Sequence, residues 1–158
     1  MIKSDRYEDF KNHILNGDIC IFETDTVVGI GCLVTSEKLP KIYKIKNRPL
    51  EKKLPVLVNN IEHIKQYTTH NIEKGSTTYI VNTGNTTTAF RAPNIQIPNA
   101  LIACTSANIS GEASVADIKD VNEKLIKECD FVYTKKIESR GKPSRIIDLT
   151  GPSPKIIR

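Results

Sequence analysis

The spacing of its apolar runs constrains this chain more than any other feature. Nine runs of four to seven residues recur along it: Asp18–Glu23, Gly29–Val34, Leu54–Val58, Thr77–Val81, Thr87–Ala92, Leu101–Ala107, Phe131–Thr134, Arg145–Thr150 and Pro154–Arg158. Runs of this length with β-branched and aromatic residues are strand candidates. Several follow one another across connections shorter than the dozen or so residues of a helical crossover, which excludes a purely parallel sheet. Helical periodicity appears between them. Tyr7, Phe10 and Ile14 share a stripe that Gly17 ends. Ser36 is placed to cap a helix running to about Asn47, a short helix starts near Asn60, and Ile118, Val121, Leu125 and Ile126 predict one helix over Ala116–Cys129. The pattern predicts an α/β fold, a twisted mixed β-sheet with flanking helices.

With 158 residues, the chain is expected to form a single domain over 1–158. No linker or repeat divides it. No apolar stretch approaches the ~20 residues of a membrane helix, and the N-terminus lacks the apolar core of a signal peptide, so the expected location is the cytoplasm. Cys20, Cys32, Cys104 and Cys129 are far apart and beside apolar runs, which suits buried free thiols. His13, His63 and His70 have no metal-ligand spacing and no nucleophile partner, so neither a metal site nor a Cys–His or Ser–His–Asp arrangement is expected. The net charge of +5 is modest, but seven basic residues lie between Lys38 and Lys53 against the single acid Glu51.

Four elements carry chemistry. Thr24-Asp25-Thr26-Val27-Val28-Gly29-Ile30-Gly31 places hydroxyls, a carboxylate and two glycines after a buried strand, which suits either a ligand approached by backbone or a tight turn. Lys46 falls on the apolar stripe of Leu39 and Ile42, whereas Lys41 and Lys44 point to water. Pro49 disfavours helix at Arg48, so Lys46 and Arg48 are placed either to converge on an anion or, for Lys46, to snorkel past the core edge. Thr105-Ser106-Ala107-Asn108-Ile109-Ser110-Gly111 reads as a polar pocket floor or as a strand-to-loop turn. The tail alternates charge with β-branched residues, from Ser144 to Asp148 and from Lys155 to Arg158.

In order and spacing these elements resemble the YrdC/TsaC-like family of threonylcarbamoyl-AMP synthases. The family's P-T-[DE]-T-V-[YF]-G-[LI]-G is matched by Thr24–Gly31, and its K-x-R-P-x-x-[KN] by Lys46, Arg48, Pro49 and Lys52. A-V-R-x-P is matched by Arg91 and Pro93, S-A-N-x-S-G by Ser106–Gly111, and the closing motifs by Ser144, Ile146–Asp148 and Ile156–Arg158. Glu23 stands where the family has proline, Val28 where it has an aromatic residue, and Arg145 where it has a small hydroxyl residue. Lys74–Thr78 is a reduced form of another family segment, and the stretch from Pro93 to Thr105 is too short for the family's usual helix there. The chain looks like the short, single-domain form with a YrdC-like open-sheet fold.

The resemblance implies an L-threonylcarbamoyladenylate synthase, a nucleotidyltransferase that makes threonylcarbamoyl-AMP and pyrophosphate from L-threonine, bicarbonate and ATP for N6-threonylcarbamoyladenosine modification of tRNA. It implies Lys46 and Arg48 as the catalytic cations. Thr24, Thr26, Lys52, Ser106, Asn108, Ser144 and Arg158 are implied as substrate or nucleotide contacts. Mg2+ is expected to arrive with ATP, and the product to pass to a threonylcarbamoyl transferase complex. Two rival readings use the same basic cleft: a non-catalytic RNA-binding module, and carbamoyl-adenylate chemistry on another substrate.

Overall fold

The computed structural model describes residues 2–158. Within them, ten strands form one sheet in the order β1-β8-β2-β3-β7-β4-β6-β5-β9-β10. These are β1 (Ile2–Ser4), β2 (Cys20–Phe22), β3 (Gly29–Leu33), β4 (Val56–Leu57), β5 (Thr77–Asn82), β6 (Thr87–Arg91), β7 (Ile102–Ser106), β8 (Phe131–Tyr133), β9 (Arg145–Asp148) and β10 (Lys155–Ile156). The sheet is mixed as expected. The neighbours β2/β3, β3/β7 and β5/β6 run antiparallel, while β2/β8, β4/β6 and β5/β9 run parallel.

Alternation along β2 explains how the helices cover both faces. Cys20 and Phe22 point into one cluster with Phe10 and Ile14 of α1 (Tyr7–Leu15). Ile19 and Ile21 point into another with Ile42 and Ile45 of α2 (Leu39–Lys46) and Leu125 of α4 (Glu123–Glu128). A third cluster gathers Val56, Tyr79, Val81 and Phe90 with Ile64 of the short α3 (Glu62–Lys65). Tyr79 and Phe90 belong to that core, so their neighbours Thr78, Ile80, Ala89 and Arg91 are left for the opposite face of β5 and β6. That face forms one wall of the main cavity. No helix among the described residues is long and apolar enough to cross a membrane.

Three local expectations change. The helix expected over Ala116–Cys129 is broken into a 3-10 turn at Ile118–Asp120 and α4. Asp117 accepts from the Lys119 amide at 3.0 Å and Asn122 from the Lys124 amide at 2.9 Å, so two side-chain caps restart the backbone where periodicity alone reads through. Ser36 makes a turn instead of capping α2 directly. Its hydroxyl donates to the Gly17 carbonyl at 2.5 Å and accepts from the Lys38 amide at 3.1 Å, and the helix begins at Leu39. Strand β1 has no apolar run to announce it; its parallel pairing with β8 holds it in place.

Candidate active site

The main cavity has a volume of about 340 Å3. It lies between the segment that links β2 to β3, the end of β7, and the face of β5, β6 and β9 described above. Thr24, Thr26, Arg48, Lys53, Arg91, Thr105, Ser106, Thr78, Ser144 and Arg158 supply its polar lining. Val27, Val28, Leu57, Ile80 and Ile146 are among its apolar residues, and among the described residues no Asp or Glu side chain lines it.

Its first wall is fixed from beneath. Arg91 is only 6% exposed and donates to Asp25 Oδ1 at 2.6 Å, to Thr26 Oγ1 at 3.2 Å and to the Gly75 carbonyl at 3.3 Å. Asp25 also accepts from the Asn94 amide at 2.9 Å. The Arg91 charge is thus neutralised inside the protein, and Thr26 is held where it lines the cavity. Thr24 Oγ1 donates to the Val27 carbonyl at 2.6 Å and accepts from the Thr26 amide at 3.1 Å, which closes the turn. From above, the Arg140 and Gly141 amides donate to the Asp25 and Thr26 carbonyls, each at 3.1 Å. Buried Glu23, at 4% exposure, ties down two further segments by accepting from the Ile118 and Ile137 amides and from Lys136 Nζ.

The two glycines of this segment serve the sheet. A Cβ on Gly31 would lie 2.6 Å from the Ala103 carbonyl, and one on Gly29 would lie 2.7 Å from Cys104 Sγ. Close passage of β7 against β3 requires them, and of the two only Gly29 also borders the cavity.

The two cations of the Lys46-Asn47-Arg48 segment separate. Lys46, the last residue of α2, is 2% exposed and does not line the cavity. Its ammonium donates to the Ser106 carbonyl and, at 2.7 Å, to the Asn108 carbonyl. Burial, reinforced by the nearby Arg48 charge, pulls its pKa down to about 8. The snorkelling alternative does not hold, because the head group ends on buried carbonyls and not in water. Asn47 then takes a left-handed conformation, φ 54°, and turns Arg48 out of the helix into the cavity wall. Arg48 donates to the Lys52 carbonyl at 2.8 Å, the Lys53 carbonyl at 3.0 Å and Thr105 Oγ1 at 3.3 Å. A guanidinium has five N–H donors, so two remain for a ligand. Burial lowers the Arg48 pKa from its ordinary value.

The remaining expected residues divide between cavity and surroundings. Ser106 lines the cavity, and so does Ser144, whose hydroxyl is 2.8 Å from that of Thr78. Arg158 lines it too and donates to the Ser144 carbonyl at 3.0 and 2.8 Å. Lys52 is exposed and outside the lining. Asn108 is also outside it. Its Nδ2 donates to the Ile109 and Glu112 carbonyls at 3.1 and 2.9 Å, and its buried Oδ1 has no partner. Lys53, Thr78, Thr105 and the Asp25–Arg91 pair belong to the cavity or its support without being among the contacts that the resemblance implies. Both members of the pair lie in elements the sequence marks, Asp25 after the strand Asp18–Glu23 and Arg91 in the A-V-R-x-P match, and Arg91 beside Phe90 in an apolar strand must face away from the core. The four cysteines are buried and free, with burial raising Cys104 to about 12. No cluster of possible metal ligands occurs among the described residues.

Relatives match this architecture over nearly its whole length. The profile of the Sua5/YciO/YrdC family, described as telomere recombination, matches residues 12–158. A Methanocaldococcus jannaschii protein provisionally named threonylcarbamoyl-AMP synthase is 31% identical over 164 residues, covering 90% of this chain and 79% of that protein. A structure of a P. abyssi Sua5 variant superposes with a TM-score of 0.84 at 22% identity, covering 99% of this chain and 59% of the other. The chain thus spans little more than half of that longer protein. E. coli YciO superposes with a TM-score of 0.77 at 16% identity, covering 99% of this chain and 92% of the other. From the profile match and the relative of M. jannaschii, together with the shared sheet, the chain belongs to the Sua5/YciO/YrdC family.

Proposed function

We propose that the chain is an L-threonylcarbamoyladenylate synthase acting in the cytoplasm, forming threonylcarbamoyl-AMP and pyrophosphate from L-threonine, bicarbonate and ATP. One observation carries this reading above all. Arg48, Lys53 and Arg158 face one concavity, none of them in an ion pair among the described residues, beside the hydroxyls of Thr24, Thr26, Thr105, Ser106 and Ser144 and no described Asp or Glu side chain. A wall of that kind suits a polyanion with many oxygen acceptors. A volume of about 340 Å3 suits a small molecule and is confining for a nucleic-acid strand, which favours this reading over an RNA-binding module. The names of the relatives agree. A Buchnera aphidicola threonylcarbamoyl-AMP synthase is 34% identical over 58 residues, and a P. abyssi Sua5 complexed with L-threonine has this fold, with a TM-score of 0.81.

In the proposed reaction the threonine amine attacks the bicarbonate carbon, and loss of water leaves a carbamate. A carbamate oxygen then attacks the α-phosphorus of ATP, and the bond to the pyrophosphate oxygen breaks. Transfer of this kind needs positioning and charge stabilisation more than a protein nucleophile. Arg48, with two free donors, and Arg158 neutralise charge gathering on the phosphates, while Ser106 donates to their oxygens and Thr26 lines the wall beside them. Lys46 supports the Ser106–Asn108 backbone that carries part of this wall. Mg2+ enters as part of the nucleotide substrate, since the wall offers cations and hydroxyls instead of the carboxylates a hard cation prefers. Lys52 and Asn108, which lie outside the lining, make no contact with the substrate in this reading. The product passes to a threonylcarbamoyl transferase complex for tRNA modification.

The test is incubation with ATP, bicarbonate and threonine, scoring pyrophosphate and an AMP-linked product. Product dependent on both threonine and bicarbonate supports the proposal. Pyrophosphate formed equally without threonine points to carbamoyl-adenylate chemistry on another substrate. Steeply salt-dependent RNA binding with no pyrophosphate points to the RNA-binding module.

A further inference from the structure

Lys53 is the one cation of the cavity that no motif marks. The Arg48 guanidinium gathers the backbone carbonyls of Lys52 and Lys53, which fixes the course of the loop into β4. Strand β4 pairs in parallel with β6 at Val56↔Phe90, and the same register carried back three residues brings Lys53 beside Thr87. The two strands are not paired there. Lys53 spans the gap instead, its ammonium donating to Thr86 Oγ1 at 2.5 Å and to the Thr87 carbonyl at 3.3 Å. Both acceptors are neutral, and among the described residues no carboxylate forms an ion pair with it. An ammonium has three N–H donors, so one is unused and the whole charge is uncompensated.

The position of the side chain adds a second argument. Lys53, Ile80 and Ala89 line both the main cavity and a neighbouring hollow of about 320 Å3 walled by Leu39, Tyr43 and Val56. Lys53 therefore stands at the junction of the two spaces, on the rim of a cavity that already holds two other unpaired cations. Its neighbour Lys52, which the family motif selects, is exposed as Lys53 is, but lines neither space.

We propose that Lys53 is a phosphate-binding residue of the cavity, which leaves its neutral oxygens on the β5–β6 hairpin to contact the polyphosphate of a bound nucleotide. The identification of that ligand as a nucleoside triphosphate rests on the proposed function; the anion contact itself does not. Exchanging neutral acceptors for an anionic oxygen is favourable because it adds an attraction between opposite charges that a hydroxyl and a carbonyl do not supply.

The probe is inorganic triphosphate, titrated calorimetrically into the full chain and into Lys53→Gln, Lys53→Arg and Lys52→Gln, with melting temperatures recorded alongside. Removing one unit charge near the ligand is expected to raise Kd about tenfold in Lys53→Gln. Lys52→Gln should change it less than about twofold, and Lys53→Arg should retain most of the affinity. Salt should weaken binding less steeply in Lys53→Gln than in the wild type. Equal affinities for Lys53→Gln and Lys52→Gln, or no triphosphate binding by the wild type, overturn the proposal. Wild-type protein that binds triphosphate through Lys53 yet makes no threonylcarbamoyl-AMP leaves it standing and removes the proposed function instead.

Discussion

Replacing Lys46 by Met takes a charge out of the interior while keeping a side chain of similar length. In the wild type this ammonium is held among carbonyls at 2% exposure, and burial pulls its pKa to about 8. In the unfolded chain it titrates near 10.4. Below pH 8 the group is protonated in both states, and the cost of burying the charge is fully present. Above pH 8 the native state releases the proton while the unfolded state keeps it. The unfolded state then binds more protons, so the Lys46 contribution to stability rises with pH until the unfolded value is passed. Between pH 7 and pH 9.5 the rise is about 2 kcal/mol, approaching 1.36 kcal/mol per unit once the native group is deprotonated.

The buried thiols act in the opposite direction in the upper part of that window. Burial raises Cys32 and Cys129 to about 11 and Cys104 to about 12, so their thiolates form first in the unfolded chain and weaken the fold above pH ~8.5. The raw stability curve mixes both effects. The difference between wild type and Lys46→Met cancels Cys32 and Cys129, and leaves only the mutual influence of Lys46 and Cys104. Urea unfolding at pH 7.0, 8.0, 9.0 and 9.5 (roughly the span between the two Lys46 pKa values) is therefore the assay. The wild type should gain about 2 kcal/mol over Lys46→Met across this range, or ~4–8 °C in Tm. The exposed controls Lys41→Met and Lys44→Met should show no such divergence. A flat difference curve for Lys46→Met refutes the buried-charge account.

Arg91→Leu should destabilise the protein by about 3–5 kcal/mol, because it strands the buried Asp25 carboxylate with only the Asn94 amide, and thermal unfolding reads this directly. A loss below about 1 kcal/mol would mean that water already screens the pair. Asn108→Asp should cost about 1–3 kcal/mol in urea unfolding, because a carboxylate oxygen would replace an amide that donates to the Ile109 and Glu112 carbonyls. Wild-type stability in that variant would show that the loop does not depend on the amide.

Legibility from sequence followed the range of the interaction. The nine strands announced by apolar runs all form, because a buried strand writes its own period into the chain. The three-residue β1 does not, since its partner β8 lies more than a hundred residues away. The continuous helix expected at Ala116–Cys129 failed for a local reason, two Asx-type caps weighed too little against hydrophobic spacing. In the site, Thr24, Thr26, Arg48, Ser106, Ser144 and Arg158 come together around one cavity. In the sequence nothing around Lys53 distinguishes it from Lys52. Only the parallel register of β4 with β6 brings it to the cavity rim.

The separation of Lys46 from Arg48 shows how two cations one residue apart come to do different work. Lys46 is the last helical residue, and the helix stripe that carries Ile42 and Ile45 directs it inward. Continued helix would place Arg48 about 200° further around the axis, at 100° per residue, facing solvent. The left-handed Asn47 prevents this. Its amide and that of Arg48 donate back to the Lys44 and Tyr43 carbonyls at 3.2 and 2.9 Å, closing the helix while the chain turns toward β7. Both cations then meet the same strand end from different sides. Lys46 holds the carbonyls of Ser106 and Asn108 from beneath, and Arg48 reaches the Thr105 hydroxyl from the cavity side. The one-residue spacing of Lys46 and Arg48 follows from that geometry. A shorter spacer would leave no residue to take the left-handed turn, and a longer one would carry the guanidinium past the end of β7.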